Sequence, residues 1–232
     1  MLPLSDHNPS RTTPVVNILL IGVNVLFFFW ELAQGPALEQ TLFGLAFIPA
    51  RFWISPLHPV NVIGMFLSMF LHGGWLHLGG NMLYLWIFGD NIEDRLGHFR
   101  YLIFYLLCGI IATLAHAVFN ASSRMPSIGA SGAIAGVLGA YILLFPKARV
   151  TTLIPIFFFI TVREIPAVIV LGLWFVLQLF VGVSSLGVAD AANAGGVAYF
   201  AHIGGFVAGM VLIAVMGGMR RPRAIPYGDY WR

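Results

Sequence analysis

One serine and one histidine lie at the starts of two separate apolar runs, where polar side chains carry an energetic cost. Ser131 lies between Gly129 and Gly132 in a run that ends near Phe145, and His202 opens the last apolar run of the chain. A hydroxyl in hydrocarbon is costly unless it has a hydrogen-bonding partner. The imidazole of His202 could take the proton of Ser131, which would turn the hydroxyl into a nucleophile that attacks a carbonyl carbon.

A second polar pair could stabilise the oxyanion that such an attack creates. His77 and Asn81 are spaced i, i+4, so on a helix their side chains share one face. Donors aimed at an oxyanion typically lower the barrier by about 3 kcal/mol each. No acidic residue is placed to orient the histidine, since Asp190 lies in a loop of small residues. We therefore predict a catalytic Ser131–His202 dyad with His77 and Asn81 as oxyanion-stabilising residues.

Small residues accompany both candidate catalytic positions. Ala135 follows the serine by one helical turn, and Gly205 and Gly209 follow the histidine on one face as a Gly-x-x-x-Gly pattern. Small faces of this kind let the backbones of two membrane helices approach closely. Together with Gly129 and Gly132, these residues predict close packing of the two helices that carry the serine and the histidine.

The composition favours lipid as the solvent of this chain. Of its 232 residues, 59% are hydrophobic and 9% are charged, whereas soluble domains carry about 25% charged residues. The net charge of +3 comes from basic residues between apolar runs, so it indicates membrane topology rather than nucleic-acid binding. Cys108 is the only cysteine, so neither an internal disulfide nor a thiolate metal cluster is expected. We expect no metal ion.

Six apolar runs predict an all-α polytopic membrane protein with six transmembrane helices. The connection Leu32–His72 is too long for an ordinary loop and still apolar, so we predict a long interfacial first loop. We assign residues 1–12 to a cytoplasmic N-terminal tail, 13–217 to the helix bundle and 218–232 to a basic cytoplasmic C-terminal tail. The charged cluster Asp90, Glu93, Asp94, Arg95 and Arg100 predicts an aqueous turn after the second span. The predicted spans are Thr13–Glu31, Gly74–Gly89, Tyr101–Val118, Ser127–Phe145, Ile165–Val183 and Val197–Met216.

The distribution of basic residues predicts the orientation. With six spans, ten of the twelve Lys and Arg residues fall on the side of the termini, and only Arg51 and Arg124 fall on the other side. The positive-inside rule then makes both termini cytoplasmic. Spans two, four and six start on the extracytoplasmic side, so His77, Ser131 and His202 are predicted at similar depth in a site that opens there. We expect a multi-pass protein of a bacterial or archaeal cell membrane.

The same residues allow simpler interpretations, whereas two other classes of protein fit them less well. A serine in a transmembrane helix often bonds to its own backbone, and His77 and Asn81 could simply join helices. A zinc protease would need His-Glu-x-x-His on one helix, but the segment from His72 to His77 lacks both the glutamate and the spacing. A transporter would favour internal repeats and acidic residues at mid-membrane, which the predicted spans lack.

Four motifs follow one another as His77-Leu-Gly-Gly-Asn81, Gly89 to Gly97, Gly129-Ala-Ser131-Gly132 and Ala201-His202-x-x-Gly205-x-x-x-Gly209. In this order they resemble the rhomboid family of intramembrane serine proteases over about residues 13–217. The resemblance implies that Ser131 is the nucleophile and His202 the base, that His77 and Asn81 serve the oxyanion, and that no cofactor is needed. It also implies cleavage of transmembrane protein substrates, in or next to the lipid bilayer, near small residues. The alternative is a non-catalytic member that binds and escorts transmembrane clients.

The resemblance also carries expectations for the loops, with two departures. The loop 184–196 is expected to be a lid, and the Leu32–His72 connection a half-submerged first loop. Many members carry a Trp-Arg pair in that loop, where this chain has Ile63-Gly64. Some members have a tyrosine at the position of Ala135, which leaves Tyr199 as a candidate for the ring that stacks on the histidine.

Overall fold

The chain is mostly helical in the part that its structure, a computed structural model, describes: residues 1–156, 159–186 and 197–219. Three helices, Val15–Ala33, His98–Phe119 and Ala167–Ser185, are long and apolar enough to cross a membrane, and Ser131–Leu144 and Tyr199–Val215 are shorter apolar helices. The helices in these residues are α1 Val15–Ala33, α2 Leu38–Leu45, α3 Pro49–Ile54, α4 Pro59–Leu67, α5 Trp75–Leu96, α6 His98–Phe119, α7 Ser131–Leu144, α8 Ala167–Ser185 and α9 Tyr199–Val215.

Helix α7 lies at the centre of the bundle. Its residues 132–141 are all buried, and it contacts α5, α6, α8 and α9. A helix that is apolar on all sides is stable only when other elements surround it. Its contact with α9 is the most extensive between any two elements in the described part of the chain. The first residue of α7 and the first turn of α9 are therefore held together by the packing of the bundle core.

Glycines allow the backbones of α7 and α9 to touch. A Cβ atom on Gly205 would overlap the carbonyl oxygen of Gly132, and one on Gly209 would overlap the carbonyl oxygen of Gly136. Backbone contact of this kind is possible only where side chains are missing. Ala135 is fully buried in the same core, next to Gly136, which contacts Gly209.

A three-stranded antiparallel sheet makes the prediction of an all-α protein wrong in this respect. Strands β1 Leu2–Asp6, β2 Arg149–Ile156 and β3 Phe159–Pro166 pair in the order β1-β2-β3. The hairpin of β2 and β3 is rich in β-branched residues, which favour strands. The N-terminal tail contributes β1 because its backbone pairs with β2, a long-range partner that a short polar segment does not reveal.

The charged residues from Asp90 to Arg95 lie in the last turns of helix α5, and Arg100 lies in α6, so the predicted turn is confined to the exposed Gly97 between the two helices. Glu93 is fully buried, and its carboxylate accepts hydrogen bonds from the backbone N–H groups of Val16 and Asn17 at 2.9 and 2.7 Å. The first N–H groups of a helix lack partners within it, and a negative charge there is favourable. Glu93 thus holds the first turn of α1. Helix α5 ends at Leu96, and the next residue is Gly97, whose φ of +78° favours glycine.

An arginine anchors the connection between α1 and α5, although it is not at Ile63-Gly64. The guanidinium of Arg51 donates hydrogen bonds to the carbonyl oxygens of Phe43 and Ala46 and to the side chain of Asn61. Asn61 in turn donates to the carbonyl oxygen of Ser55 at 2.8 Å. These bonds join α2, α3 and α4 into one unit.

Candidate active site

The structure brings Ser131 and His202 into hydrogen-bonding contact. Oγ of Ser131 lies 2.8 Å from Nε2 of His202, although the two residues are 71 positions apart. Ser131 is the first residue of α7, and His202 lies in the first turn of α9. His202 is buried, with 8% of its surface exposed, and Ser131 is half-buried. The hydroxyl can therefore donate to an unprotonated Nε2 at a place that is largely closed to water.

The other side of the imidazole contacts helix α8. Nδ1 of His202 lies 2.9 Å from Oε1 of Gln178. The ring of Trp174, one turn earlier on α8, lies over the imidazole with a centroid distance of 5.7 Å and an interplanar angle of 33°. The aromatic ring that packs against His202 here is therefore that of Trp174, whereas Tyr199 was the expected candidate. Sequence reasoning considered only acidic partners for the imidazole, although Gln178 is a polar side chain inside the apolar fifth run.

His77 packs against the turn that leads into α7. Gly129 has a φ of +123°, and a Cβ atom there would lie 2.7 Å from both Cε1 and Nε2 of His77 and 3.6 Å from Oγ of Ser131. Gly129 is therefore required both for its backbone conformation and for the space that the imidazole occupies. Nδ1 of His77 accepts a long hydrogen bond, 3.4 Å, from the backbone N–H of Gly73. In a neutral ring this leaves the proton on Nε2, the nitrogen near the serine turn.

Asn81 is buried, and its side-chain amide contacts His72 instead of the serine. Nδ2 of Asn81 lies 3.0 Å from Nε2 of His72. The ring of His72 also lies against that of His77, with centroids 5.1 Å apart. The backbone N–H of His72 donates to both carboxylate oxygens of Glu31 at 3.0 and 3.1 Å. His72 is therefore a buried link between α1 and the candidate oxyanion residues, and sequence reasoning missed the part played by Glu31.

The space around the start of α7 is small. A Cβ atom on Gly132 would lie 2.7 Å from Cβ of Ala112 on α6, so the helix backbones are close here too. A cavity of about 20 Å³ lies beside Ser131, with Ser68 and Thr113 in its wall. This volume is close to that of one water-sized sphere. Within the described residues, no group of three or more His, Cys, Asp or Glu side chains is placed to hold a metal ion.

The chain is similar to rhomboid proteins of mitochondria and of a bacterium. It is 31% identical over 218 residues to the mitochondrial rhomboid protein 1 of Saccharomyces cerevisiae, which covers 90% of this chain and 56% of the yeast protein. It is 32% identical over 221 residues to the rhomboid protease GluP of Bacillus subtilis, which covers 93% of this chain and 37% of that protein. The mitochondrial presenilin-associated rhomboid-like protein of Bos taurus is 32% identical over 154 residues, 65% of this chain and 38% of the bovine protein.

These relatives are longer than this chain, which spans between 37% and 56% of their lengths. Two of these three relatives are mitochondrial and one is bacterial, so the location of this chain in a bacterial or archaeal cell membrane stays a prediction.

A family model, the rhomboid domain, matches residues 59–219, which is more than half of the chain. The apolar helices agree with a multi-pass integral membrane protein. The chain therefore belongs to the rhomboid family.

Proposed function

We propose that this chain is an intramembrane serine endopeptidase that cleaves peptide bonds in or next to transmembrane segments of other proteins. The observation that carries the proposal is the 2.8 Å contact between Oγ of Ser131 and Nε2 of His202. A serine hydroxyl is a weak nucleophile unless a base lies within hydrogen-bond reach. The family membership of the chain and the name of its relative GluP, a rhomboid protease, support the same reaction class.

The proposed reaction begins with proton transfer from serine to histidine. As Oγ of Ser131 attacks the substrate carbonyl, its proton passes to Nε2 of His202, and the carbonyl oxygen takes up a negative charge. The imidazolium then gives the proton to the leaving amine, and the acyl group stays on Ser131. A water molecule, with His202 again as the base, would release the acyl group and restore the hydroxyl.

Several donors support stabilisation of the oxyanion near the start of α7. The first backbone N–H groups of α7 have no partner within the helix, so they are free to face a developing charge. His77 carries a donor on Nε2, beside Gly129. Asn81 would act through its contact with His72, or would turn its amide toward the oxyanion when substrate is bound.

The proposed membrane arrangement has six crossings, formed by α1, α5, α6, α7, α8 and α9. Both termini then lie on the cytoplasmic side, and the site opens to the extracytoplasmic side. The connection from α1 to α5 would be the interfacial first loop, with residues 1–12 and 218–232 as the two tails. The proposed lid 184–196 lies outside the described residues from 187 onward, as does the C-terminal tail from 220 onward. The small cavity beside Ser131 suits substrates with small residues at the cleavage site.

Cleavage of a model transmembrane substrate tests this proposal. Purified protein in detergent should cut the substrate, and Ser131→Ala and His202→Ala should each reduce the rate by at least about 1,000-fold. Ser122→Ala removes a hydroxyl from an exposed position and serves as the matched control, with an unchanged rate. Cleavage by Ser131→Ala at the wild-type rate would show that another residue, or a contaminating protease, does the work.

A further inference from the structure

We infer that Gln178 is a positioning residue for His202, a role that rests on the proposed protease function. Its Oε1 lies 2.9 Å from Nδ1 of His202, on the side of the ring opposite Ser131. Ser131, His202 and Gln178 thus form a continuous hydrogen-bonded chain across three helices, α7, α9 and α8. The glutamine stands where a serine protease with a triad has a carboxylate.

The contact selects the tautomer that the reaction needs. A neutral imidazole carries one proton, and Nε2 can accept the proton of Ser131 only when that one is on Nδ1. The carbonyl oxygen of Gln178 is an acceptor, so it favours an N–H at Nδ1 and disfavours a lone pair there. When Nε2 takes the proton of the serine, the proton on Nδ1 stays in place. Its bond to Oε1 then becomes a charge-assisted one, which stabilises the imidazolium.

Helix α8 also packs an aromatic ring against the imidazole. The ring of Trp174 is tilted by 33° to that of His202, with the centroids 5.7 Å apart, and Trp174 is one turn from Gln178, so one face of α8 supplies both a packing ring and the acceptor. Most of α8 is not buried; in this helix Ala167, Val170, Leu171 and Gly182 are the buried residues. The geometry of the base therefore depends on α8 remaining against α9, a contact far less extensive than that between α7 and α9.

A purely structural role for Gln178 is the competing explanation. In that case the side chain only joins α8 to α9, and its loss would lower stability without a specific effect on proton transfer. The two explanations differ in the pH dependence of the rate. An acceptor at Nδ1 influences how readily the imidazole is protonated, whereas a link between two helices does not.

The test compares two substitutions of Gln178 in the full chain, in detergent, with a transmembrane peptide substrate. Gln178→Met removes the acceptor and keeps the length of the side chain, and we expect kcat to fall by about 10- to 100-fold with KM within about twofold. Gln178→Glu keeps an acceptor and adds a negative charge. It should retain more activity than Gln178→Met, and the acid limb of its rate profile should move to higher pH, because a carboxylate favours the protonated imidazole.

Matched controls separate this inference from the protease proposal. Gln34→Met makes the same change at the end of α1, where the side chain bonds to the carbonyl oxygen of Trp30, and should leave kcat unchanged. If Gln178→Met keeps the wild-type kcat, or if Gln178→Glu is as slow as Gln178→Met with an unmoved acid limb, the positioning role is wrong while the protease stands. If Ser131→Ala cleaves as fast as the wild type, the protease proposal itself fails.

Discussion

The two sides of His202 are held in very different ways. On the serine side, α7 and α9 touch through their backbones, and a Cβ atom on Gly205 or Gly209 has no room. On the glutamine side, α8 supports the imidazole with two side chains, and most of this helix is exposed to its surroundings. The distance between nucleophile and base is therefore set by the rigid core of the bundle. The orientation of the base is set by a helix that is less firmly attached.

The largest expected effect comes from breaking the rigid side. Gly209→Ala places a methyl group onto the carbonyl oxygen of Gly136, so α7 and α9 must separate. We expect a loss of stability of about 3 kcal/mol and loss of substrate cleavage. Thermal unfolding in detergent measures the first effect, and a cleavage assay below the unfolding temperature measures the second. A variant as stable as the wild type would show that the contact between the two helices is not rigid.

A smaller effect is expected at the turn before the serine. Gly129→Ala introduces a Cβ atom at a φ of +123° and 2.7 Å from the imidazole of His77. The strain and the displaced ring should cost about 1–3 kcal/mol of stability. We expect cleavage to fall by about 100-fold, because His77 and the first N–H groups of α7 would no longer face one oxyanion. A rate within threefold of the wild type would argue against this position for the oxyanion.

On the α8 side, the same logic predicts a change in activity with little change in stability. Trp174→Leu removes the ring that lies over His202 but keeps an apolar side chain at a half-buried position. We expect about a tenfold lower kcat and a loss of stability of about 1 kcal/mol or less. Steady-state kinetics and thermal unfolding of the same preparation check both numbers. A loss of stability as large as the one expected for Gly209→Ala would mean that α8 is packed as firmly as α9.

The smallest effect has the opposite sign. Gly172, in the middle of α8, has open space where a Cβ atom would be placed. Gly172→Ala should therefore raise stability by up to about 1 kcal/mol through the better helix propensity of alanine, with cleavage unchanged. It is the matched control for Gly209→Ala, since both replace a helical glycine by alanine. A lower stability of Gly172→Ala would indicate that another segment packs against α8 at Gly172, where the structure has open space.

The sequence was informative where function depends on local pattern. Ser131, His202 and His77 were predicted from residue type, flanking glycines and position in an apolar run, and the structure places their side chains around one turn. The ends of α1, α6, α7, α8 and α9 followed from hydropathy to within a few residues, whereas α5 continues to Leu96 because the buried Glu93 has partners on α1. The short helices α2, α3 and α4 were not predicted, because they lie in the segment expected to be a loop.

Two of the contacts that the sequence did not predict, Gln178 with His202 and β1 with β2, join segments far apart in the chain. Gln178 was overlooked because a neutral amide was not considered as a partner for the imidazole. Asn81 was expected beside the oxyanion, but the neighbouring His72 occupies its amide. Strand β1 was missed because it is defined by its pairing with β2 and not by its own composition, whereas the β-branched residues of β2 and β3 did favour strands. Arg51 anchors the first loop from a position that the family pattern did not indicate.

The most direct test of the central claim is whether a fluorophosphonate probe reacts covalently with Ser131. The probe bonds to a serine only when a base has activated its hydroxyl, so mass spectrometry of the labelled peptide reports on the contact between Oγ and Nε2 itself. We predict one adduct, on Ser131, that disappears in His202→Ala and remains in Ser122→Ala. A folded wild-type protein without an adduct on Ser131, as expected of a chain that only binds and escorts transmembrane clients, would contradict the account.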